Sequence, residues 1–442
     1  MPITFSWLIN PASIDPADFK VIGTSIPRKD LPLKVFAKLD MVADVRLPGM
    51  LHAAVAACPV FNGRVKSMDA SKVQNRRGIV QVLNLGEFVA VVADNWWRAK
   101  EALREVAIDW DTGEHGTLTS AAIMANFQAG MVQNELAVAR NDGNTVQALA
   151  GAGKVYEAEY FTPYLAHATM EPMVCTAWLQ GDSLEVWTST QNPEATLAVS
   201  AATAGVAQDK VKVHPMQLGG GLGRKSPQDF TRQGVMIAKA MAGKPVKMIW
   251  SREEDTRQDF YRPADTSRFS AGLDGKGSPV SWNNAFTQLN GPDGSWDVAH
   301  YDIPNRSIRH AEADMHLRFG SLRAVDHSQQ GFFVESFIDE LAHAAGQDPF
   351  DYRRKLLGKS PRHKAVLEKV AKMAGWGSAL PPGSGRGIAL VKSFGTIVAE
   401  VAEVKMQDGR PRVVKVWCCA DAGYVMNPDG FAAQMEGGII YG

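Results

Sequence analysis

A glycine-rich segment at residues 218–225 is the part of the sequence whose residue types most directly suggest chemistry. It reads Leu-Gly-Gly-Gly-Leu-Gly-Arg-Lys. Glycine has no Cβ, so its backbone N–H groups can approach a ligand that side chains would otherwise keep away. Between a strand at 184–190 and a helix at 229–242, such a turn can direct several N–H groups at an anion or an oxo group.

The spacing of this segment does not match the common nucleotide-binding loops. A G-x-G-x-x-G pattern that starts at Gly219 needs glycine at position 224, where the chain has Arg224. A Walker A loop needs Gly-Lys-Ser or Gly-Lys-Thr, and here Lys225 follows arginine. A nicotinamide or flavin site is therefore disfavoured. From the residues alone, a ligand-binding loop and a turn without a ligand both remain open.

Several polar side chains elsewhere could join such a loop. Gln191 ends the predicted strand, and its amide can donate to an oxo ligand while it accepts elsewhere. Arg323 has a rigid guanidinium that can orient a substrate or stabilise an oxyanion, with a surface ion pair as the alternative. His167 and Glu171 could share one helix face, and we interpret them as structural because a metal site needs further ligands.

Three motifs occur in an order that resembles a known family. They are Thr-Ser-Thr-Gln-Asn-Pro at 188–193, the glycine segment, and Arg-Ala-Val-Asp-His-Ser-Gln at 323–329. Together they resemble the molybdopterin-binding large subunits of the xanthine oxidase family. The similarity is to the branch of isoquinoline 1-oxidoreductase beta subunits and related aldehyde dehydrogenases, and it extends from about residue 20 to the last residue.

The resemblance implies a fold and a cofactor. The fold is an α+β (mixed α/β) one, with a hammerhead domain followed by an incomplete molybdopterin-binding domain. The cofactor is molybdopterin cytosine dinucleotide with molybdenum, without a direct protein ligand to the metal. Residues 220–222 would turn backbone N–H groups toward an oxygen on molybdenum, and Leu222 stands where relatives usually have Phe. The implied cofactor-binding residues are Gln191, Gly219, Gly220, Gly221, Leu222, Gly223 and Arg323, and Arg323 would also orient the substrate.

The resemblance also implies an activity. Such enzymes hydroxylate an aldehyde or an N-heterocycle with oxygen from water and transfer a hydride to a sulfido ligand of molybdenum. Ser226 stands where purine-oxidising relatives have Glu, which argues against a xanthine-like substrate. Electrons would leave through a small subunit that carries 2Fe-2S clusters, with a cytochrome c as one further acceptor. The four cysteines of this chain lack the spacing of a cluster site.

Two segments of the family pattern have no counterpart in the sequence. One is a Met-Gly-Gln-Gly segment near the N-terminus, and the other carries the glutamate that acts as the general base; no Glu within residues 1–442 matches it. We therefore expect the isolated chain to be inactive. It would be a fragment, one half of a split subunit or a degraded homologue. The alternative function is a catalytically inactive binding or assembly module.

Composition excludes other classes of partner and predicts the domain boundaries. The net charge is zero, and no long basic run suggests nucleic-acid binding. No apolar run is long enough for a membrane span, and no signal peptide is visible, so we expect a cytoplasmic or periplasmic protein. The predicted segments are a lead-in at 1–20, a hammerhead-like domain at 21–111, a linker with one short helix at 112–154, the first molybdopterin-binding part at 155–386 and the start of the second at 387–442.

Overall fold

The computed structural model describes residues 15–133, 136–288, 296–313 and 316–442. The first fourteen residues of the predicted lead-in lie outside these ranges. Helices and strands are mixed along the chain, so the predicted fold class is confirmed. The chain divides into two units, which are described separately: a larger one of Leu39–Trp296 and Pro304–Phe333, and a smaller one of residues up to Lys38, Asp297–Ile303 and Val334–Gly442.

The strands follow in chain order. They are β1 (Leu51–Ala57), β2 (Arg64–Asp69), β3 (Ile79–Asn84), β4 (Phe88–Ala93), β5 (Ala107–Asp111), β6 (Ala137–Asp142), β7 (Lys154–Thr162), β8 (Val174–Gln180), β9 (Ser183–Thr188), β10 (Val211–Pro215), β11 (Val246–Ile249), β12 (Asp265–Leu273), β13 (Pro279–Gln288), β14 (Asn305–Glu312), β15 (Ser384–Ser393), β16 (Thr396–Gln407) and β17 (Arg410–Asp421).

The α-helices are α1 (Leu31–Val35), α2 (Trp96–Leu103), α3 (Ser120–Gln133), α4 (Thr145–Ala150), α5 (Pro193–Ala204), α6 (Asp229–Ala240), α7 (Arg252–Arg257), α8 (His327–Ala344), α9 (Pro349–Leu356), α10 (Pro361–Ala374) and α11 (Pro428–Tyr441). Within the described ranges, none of them is both long and apolar enough to cross a bilayer.

A seven-stranded sheet forms the core of the larger unit, in the order β10-β9-β8-β11-β1-β4-β3. Strand β4 reads Phe-Val-Ala-Val-Val-Ala and is buried along its whole length, as expected for a strand covered on both faces. Helix α6 packs on β8 through Phe230, Val235 and Ile237. Gly234 permits this close approach, because a Cβ there would lie 2.6 Å from the Cys175 sulfur.

The segment 112–154 differs from the predicted linker with one short helix. It contains two α-helices, the 14-residue α3 and the shorter α4, and it contains strand β6. Strand β6 pairs with β14 in a five-stranded sheet of order β6-β14-β13-β12-β7. The polar, glycine-containing composition of the segment suggests a surface connection, but its strand is completed by residues more than 160 positions later in the chain.

The smaller unit contains an antiparallel sheet of β15, β16 and β17, on which α10 packs. A buried ion pair lies in its interior. Arg353 is fully buried, and its Nε lies 2.9 Å from the Glu335 carboxylate. Glu335 also accepts hydrogen bonds from the Tyr301 hydroxyl at 2.8 Å and from the Leu390 N–H at 2.8 Å.

Candidate functional site

Gln191 lies in a tight connection between strand β9 and helix α5 of the larger unit. The side chain of Asn192 caps α5 by accepting a hydrogen bond from the Ala195 N–H at 3.1 Å. Pro193 occupies the first turn of the helix, where its missing N–H is tolerated. Strand, cap and proline together hold the Gln191 backbone in one place at the end of the sheet.

The segment 219–225, called the glycine loop below, has an unusual backbone. Positive φ angles occur at Gly220 (97°), Leu222 (57°) and Gly223 (112°). Leucine rarely adopts such a conformation, so the surroundings must hold Leu222 there. A Cβ at Gly223 would lie 1.6 Å from the Ser321 carbonyl oxygen, and position 223 therefore requires glycine. Successive residues of this kind fold the backbone into a concave arrangement whose N–H groups converge.

Two of the residues predicted for the site hold the glycine loop by hydrogen bonds. The Gln191 Oε1 accepts from the N–H groups of Gly223 at 3.1 Å and Lys225 at 3.2 Å. The Gln191 N–H donates to the Lys225 carbonyl at 2.9 Å, and the Arg323 N–H donates to the Leu222 carbonyl at 2.8 Å. Gln191, the loop and the Arg323 backbone therefore lie together, although 132 positions separate the first from the last.

The glycine loop leaves a set of donors unused. Within the described ranges, the N–H groups of Gly220, Gly221 and Leu222 donate to no acceptor. The Gln191 Nε2 also donates to no acceptor within these ranges. The Oε1 of the same amide makes both side-chain bonds to the loop. Gly221 is buried, and Gly220 and Leu222 are half-buried. Folded proteins pair nearly all of their buried N–H groups, so these three adjacent donors can bind an oxygen atom from outside the chain.

A buried ion pair supports the start and end of the loop. Glu171 accepts the Gly219 N–H at 3.1 Å through Oε2, and its own N–H donates to the Gly219 carbonyl at 2.9 Å. The same Oε2 accepts from the Lys225 Nζ at 2.7 Å and from the Ser189 hydroxyl at 3.3 Å. Lys225 is fully buried, and this burial lowers its pKa. Glu171 and Lys225 therefore fix both ends of the loop.

A second buried network lies around Arg224. Its guanidinium binds both oxygens of Asp229, at 3.0 and 2.8 Å, and lies 2.9 Å from Asp259. Asp259 in turn contacts the His167 Nδ1 at 3.0 Å, and the His167 Nε2 lies 3.2 Å from the Ser321 carbonyl oxygen. That carbonyl is the one that excludes a side chain at Gly223, so this network also shapes the loop.

The sequence interpretation of His167 and Glu171 was partly wrong. No helix contains them, because the segment 163–173 is irregular apart from one isolated bridge. The structural role expected for His167 agrees with its buried contact to Asp259. Sequence reasoning did not predict that Glu171 and Lys225 support the loop. For Lys225, the position of a charged residue shortly after a glycine run could have suggested this role.

The described residues hold no group of three or more His, Cys, Asp or Glu side chains that could bind a metal ion directly. The lining of the loop consists of hydrogen-bond donors. Such a set fits a group that presents oxygen atoms, for example oxo or phosphate oxygens, and that carries the ligands of its own metal. Whether the Arg323 side chain contacts a substrate stays a prediction.

Comparison with known proteins supports a site for a metal-containing group of this kind. The description "Molybdopterin cofactor-binding domain" applies to two family models, which match residues 128–357 and 329–442. The beta subunit of isoquinoline 1-oxidoreductase from Brevundimonas diminuta is 30% identical over 96% of this chain and 58% of its own length. One subunit of the nicotinate dehydrogenase from Pseudomonas putida is 27% identical over 96% of this chain and 39% of its own length.

A solved structure has the same fold. Quinoline 2-oxidoreductase from Pseudomonas putida 86 matches with a TM-score of 0.66 and 18% identity, over 86% of this chain and 58% of that one. The chain thus spans between about two fifths and three fifths of the length of these proteins.

Proposed function

The chain belongs to the molybdopterin-binding subunits of the xanthine oxidase family, and from that premise we propose that it is the molybdenum-binding subunit of a hydroxylase for an aldehyde or an N-heterocycle. The observation that carries this proposal is the set of unused donors in the glycine loop, the N–H groups of residues 220–222 together with the Gln191 Nε2.

These donors would hold oxygen atoms of the molybdopterin group. When bound, that group supplies the two-electron redox chemistry, while the protein supplies binding and orientation. Donors that are already fixed in place lose little freedom when an anionic oxygen arrives, so they stabilise it more than mobile donors would. The Gln191 side chain acts twice, because its oxygen holds the loop and its nitrogen remains available to the ligand.

The finer features follow the family pattern. We propose the cytosine dinucleotide form of the cofactor, a small partner subunit with 2Fe-2S clusters, and a cytochrome c as one electron acceptor beyond it. Both relatives named above are single subunits of larger enzymes, which supports a partner subunit. Arg323 would orient the substrate, since its backbone is bonded to the loop at Leu222 and a guanidinium suits a developing negative charge.

The proposal is tested by measuring molybdenum in protein produced in a host that makes the cofactor. The Gln191→Glu variant keeps an acceptor for the two loop N–H groups, but it replaces the free donor with a negative charge. We expect molybdenum in the wild-type protein and about tenfold weaker retention in this variant, the loss of roughly one charge-assisted hydrogen bond. The exposed Gln180→Glu at the end of β8 is the matched control and should retain the metal.

A folded wild-type protein without molybdenum would overturn the proposal, as would full retention in Gln191→Glu. Molybdenum without turnover, in an enzyme assembled with its partner subunit, would favour the binding or assembly module instead.

A further inference from the structure

We propose that the larger unit contains a second binding site, for a small organic oxyanion, in a cavity beside the end of strand β1. The cavity has a volume of about 370 Å³, within the range of small-molecule sites. Its walls come from the end of β1, the following connection to β2, and helix α6. None of its lining residues belongs to the glycine loop, so the site is separate from the proposed cofactor site.

The carboxylates of the cavity are already neutralised. Asp229 has both oxygens bound by Arg224, at 3.0 and 2.8 Å. Glu87 has both oxygens bound by the guanidinium of Arg232. Each carboxylate is already paired with an arginine and does not need a cation from a ligand. Its negative charge therefore repels an approaching anion less than the charge of an unpaired carboxylate would.

The cationic and amide donors of the cavity, in contrast, are incompletely used. Arg64 is exposed and contacts no acceptor in the described part of the chain. Arg318 donates to Gln258 through Nη2 at 2.6 Å, but its Nη1 lies 3.8 Å from Asp229, beyond hydrogen-bond distance. The Gln233 oxygen accepts from Trp250 at 2.9 Å, while its Nε2 has no acceptor among the described residues.

The Arg318 guanidinium is held in place by aromatic rings. It lies 4.2 Å from the centre of the Phe61 ring and 4.9 Å from that of Phe260, both within the range of cation–π contacts. Partial burial lowers the pKa of Arg318, as expected for a cation whose charge the protein compensates incompletely. An ordered guanidinium with an unused edge can bind a carboxylate or phosphate head in a defined direction.

The volume and the walls of the cavity favour a ligand that also has an apolar part. Its volume exceeds what a bare oxyanion head fills, and Ala57, Val60 and Phe61 contribute apolar wall. The ligand class that matches both features is a carboxylate or phosphate head on a compact carbon body. The head would accept hydrogen bonds from Arg64, Arg318 and Gln233, and the body would lie toward the apolar wall.

Isothermal titration calorimetry with benzoate and with inorganic phosphate tests this site on the full chain as purified. We expect saturable benzoate binding that is about tenfold weaker in Arg64→Gln, equivalent to about 1.4 kcal/mol. Arg77→Gln is the matched control, because Arg77 is also exposed, has no described partner and does not line the cavity. Circular dichroism of each variant confirms folding.

Four results would overturn the inference: absence of saturable benzoate binding, binding of phosphate alone, equal weakening in Arg77→Gln, or loss of benzoate binding in Gln191→Glu. The last would place the anion at the glycine loop. Benzoate binding that survives in Gln191→Glu and weakens in Arg64→Gln supports the separate site whether or not the cofactor proposal holds.

Discussion

Two buried ion pairs, one in each unit of the molecule, use similar residues in different ways. In the smaller unit, both oxygens of Glu335 are occupied, by Tyr301, Arg353 and the Leu390 N–H. In the larger unit, the Glu171 Oε2 accepts three hydrogen bonds, while the sheltered Oε1 has no partner in the described residues. The N–H groups of Gly220, Gly221 and Leu222 in the loop beside it are also unpaired there.

The difference separates a purely structural ion pair from one that supports the proposed cofactor site. A buried pair repays its desolvation only when all of its polar atoms are satisfied, as around Glu335. The pair at the glycine loop leaves polar groups unsatisfied in the chain alone, a cost that proteins accept where a ligand later completes the network. Four substitutions test this comparison, in order of decreasing expected effect.

The largest effect is expected from Arg353→Met, which leaves Glu335 buried without its cation. We expect a loss of about 4 kcal/mol in the free energy of unfolding, as is typical when one partner of a buried pair is removed. Arg354→Met is the control, since Arg354 and its partner Asp351 are both about half exposed and such pairs contribute about 0–1 kcal/mol. Urea denaturation measures both variants, and equal losses would contradict the structural role of Arg353.

Lys225→Met removes the cation of the other pair. We expect a loss of about 3 kcal/mol, because Glu171 remains sheltered and charged. The double variant Glu171→Gln/Lys225→Met should recover much of this stability, because a neutral amide oxygen can still accept the Gly219 N–H. Denaturation together with molybdenum content follows both changes. A double variant as unstable as Lys225→Met would show that the charge itself is not the cause.

Glu254 provides a contrast, as a buried carboxylate without an ion pair at hydrogen-bond distance in the described residues. It accepts the Ala57 N–H at 2.7 Å, and burial raises its pKa to about 7. The folded state therefore keeps this proton at pH values where the unfolded state releases it, so the contribution to stability falls as the pH rises from about 4.5 to about 7. Glu254→Gln should remove this decline.

At pH 8 we expect Glu254→Gln to be more stable than the wild type, by about 3 kcal/mol, with the advantage shrinking toward pH 5. Unfolding measured at both pH values checks the sign. An advantage that grows toward low pH would contradict the raised pKa.

The smallest effect on stability is expected from Gly220→Ala. A Cβ at this position would make only ordinary van der Waals contacts, the nearest at 3.6 Å, so the cost comes from the φ of +97° and should be about 1–2 kcal/mol. Gly181→Ala, in the turn between β8 and β9 at φ +62°, has a similar backbone cost away from the loop. Only Gly220→Ala should also reduce molybdenum retention; a matching reduction in Gly181→Ala would tie retention to stability alone.

Local patterns predict many of the elements. The sequence predicts a strand at 184–190, which is β9 at Ser183–Thr188, and a helix at 229–242, which is α6 at Asp229–Ala240. These segments have a clear apolar pattern, which reflects their buried faces. For segment 112–154 the sequence predicts one short helix and misses strand β6, because that strand is stabilised by its pairing with β14 and no local property of β6 records that partner.

The sequence by itself determined the mixed α/β class, the order of the motifs and the family, because apolar periodicity and motif spacing are written along the chain. Only the tertiary structure decided that Glu171 reaches Lys225 across 54 positions and that Ser321 excludes a side chain at Gly223. The donors left unused at Gly220, Gly221 and Leu222 within the described part of the chain were likewise visible only after folding. Whether a backbone N–H is satisfied depends on every acceptor that folding brings near it, and the linear sequence does not contain those distances.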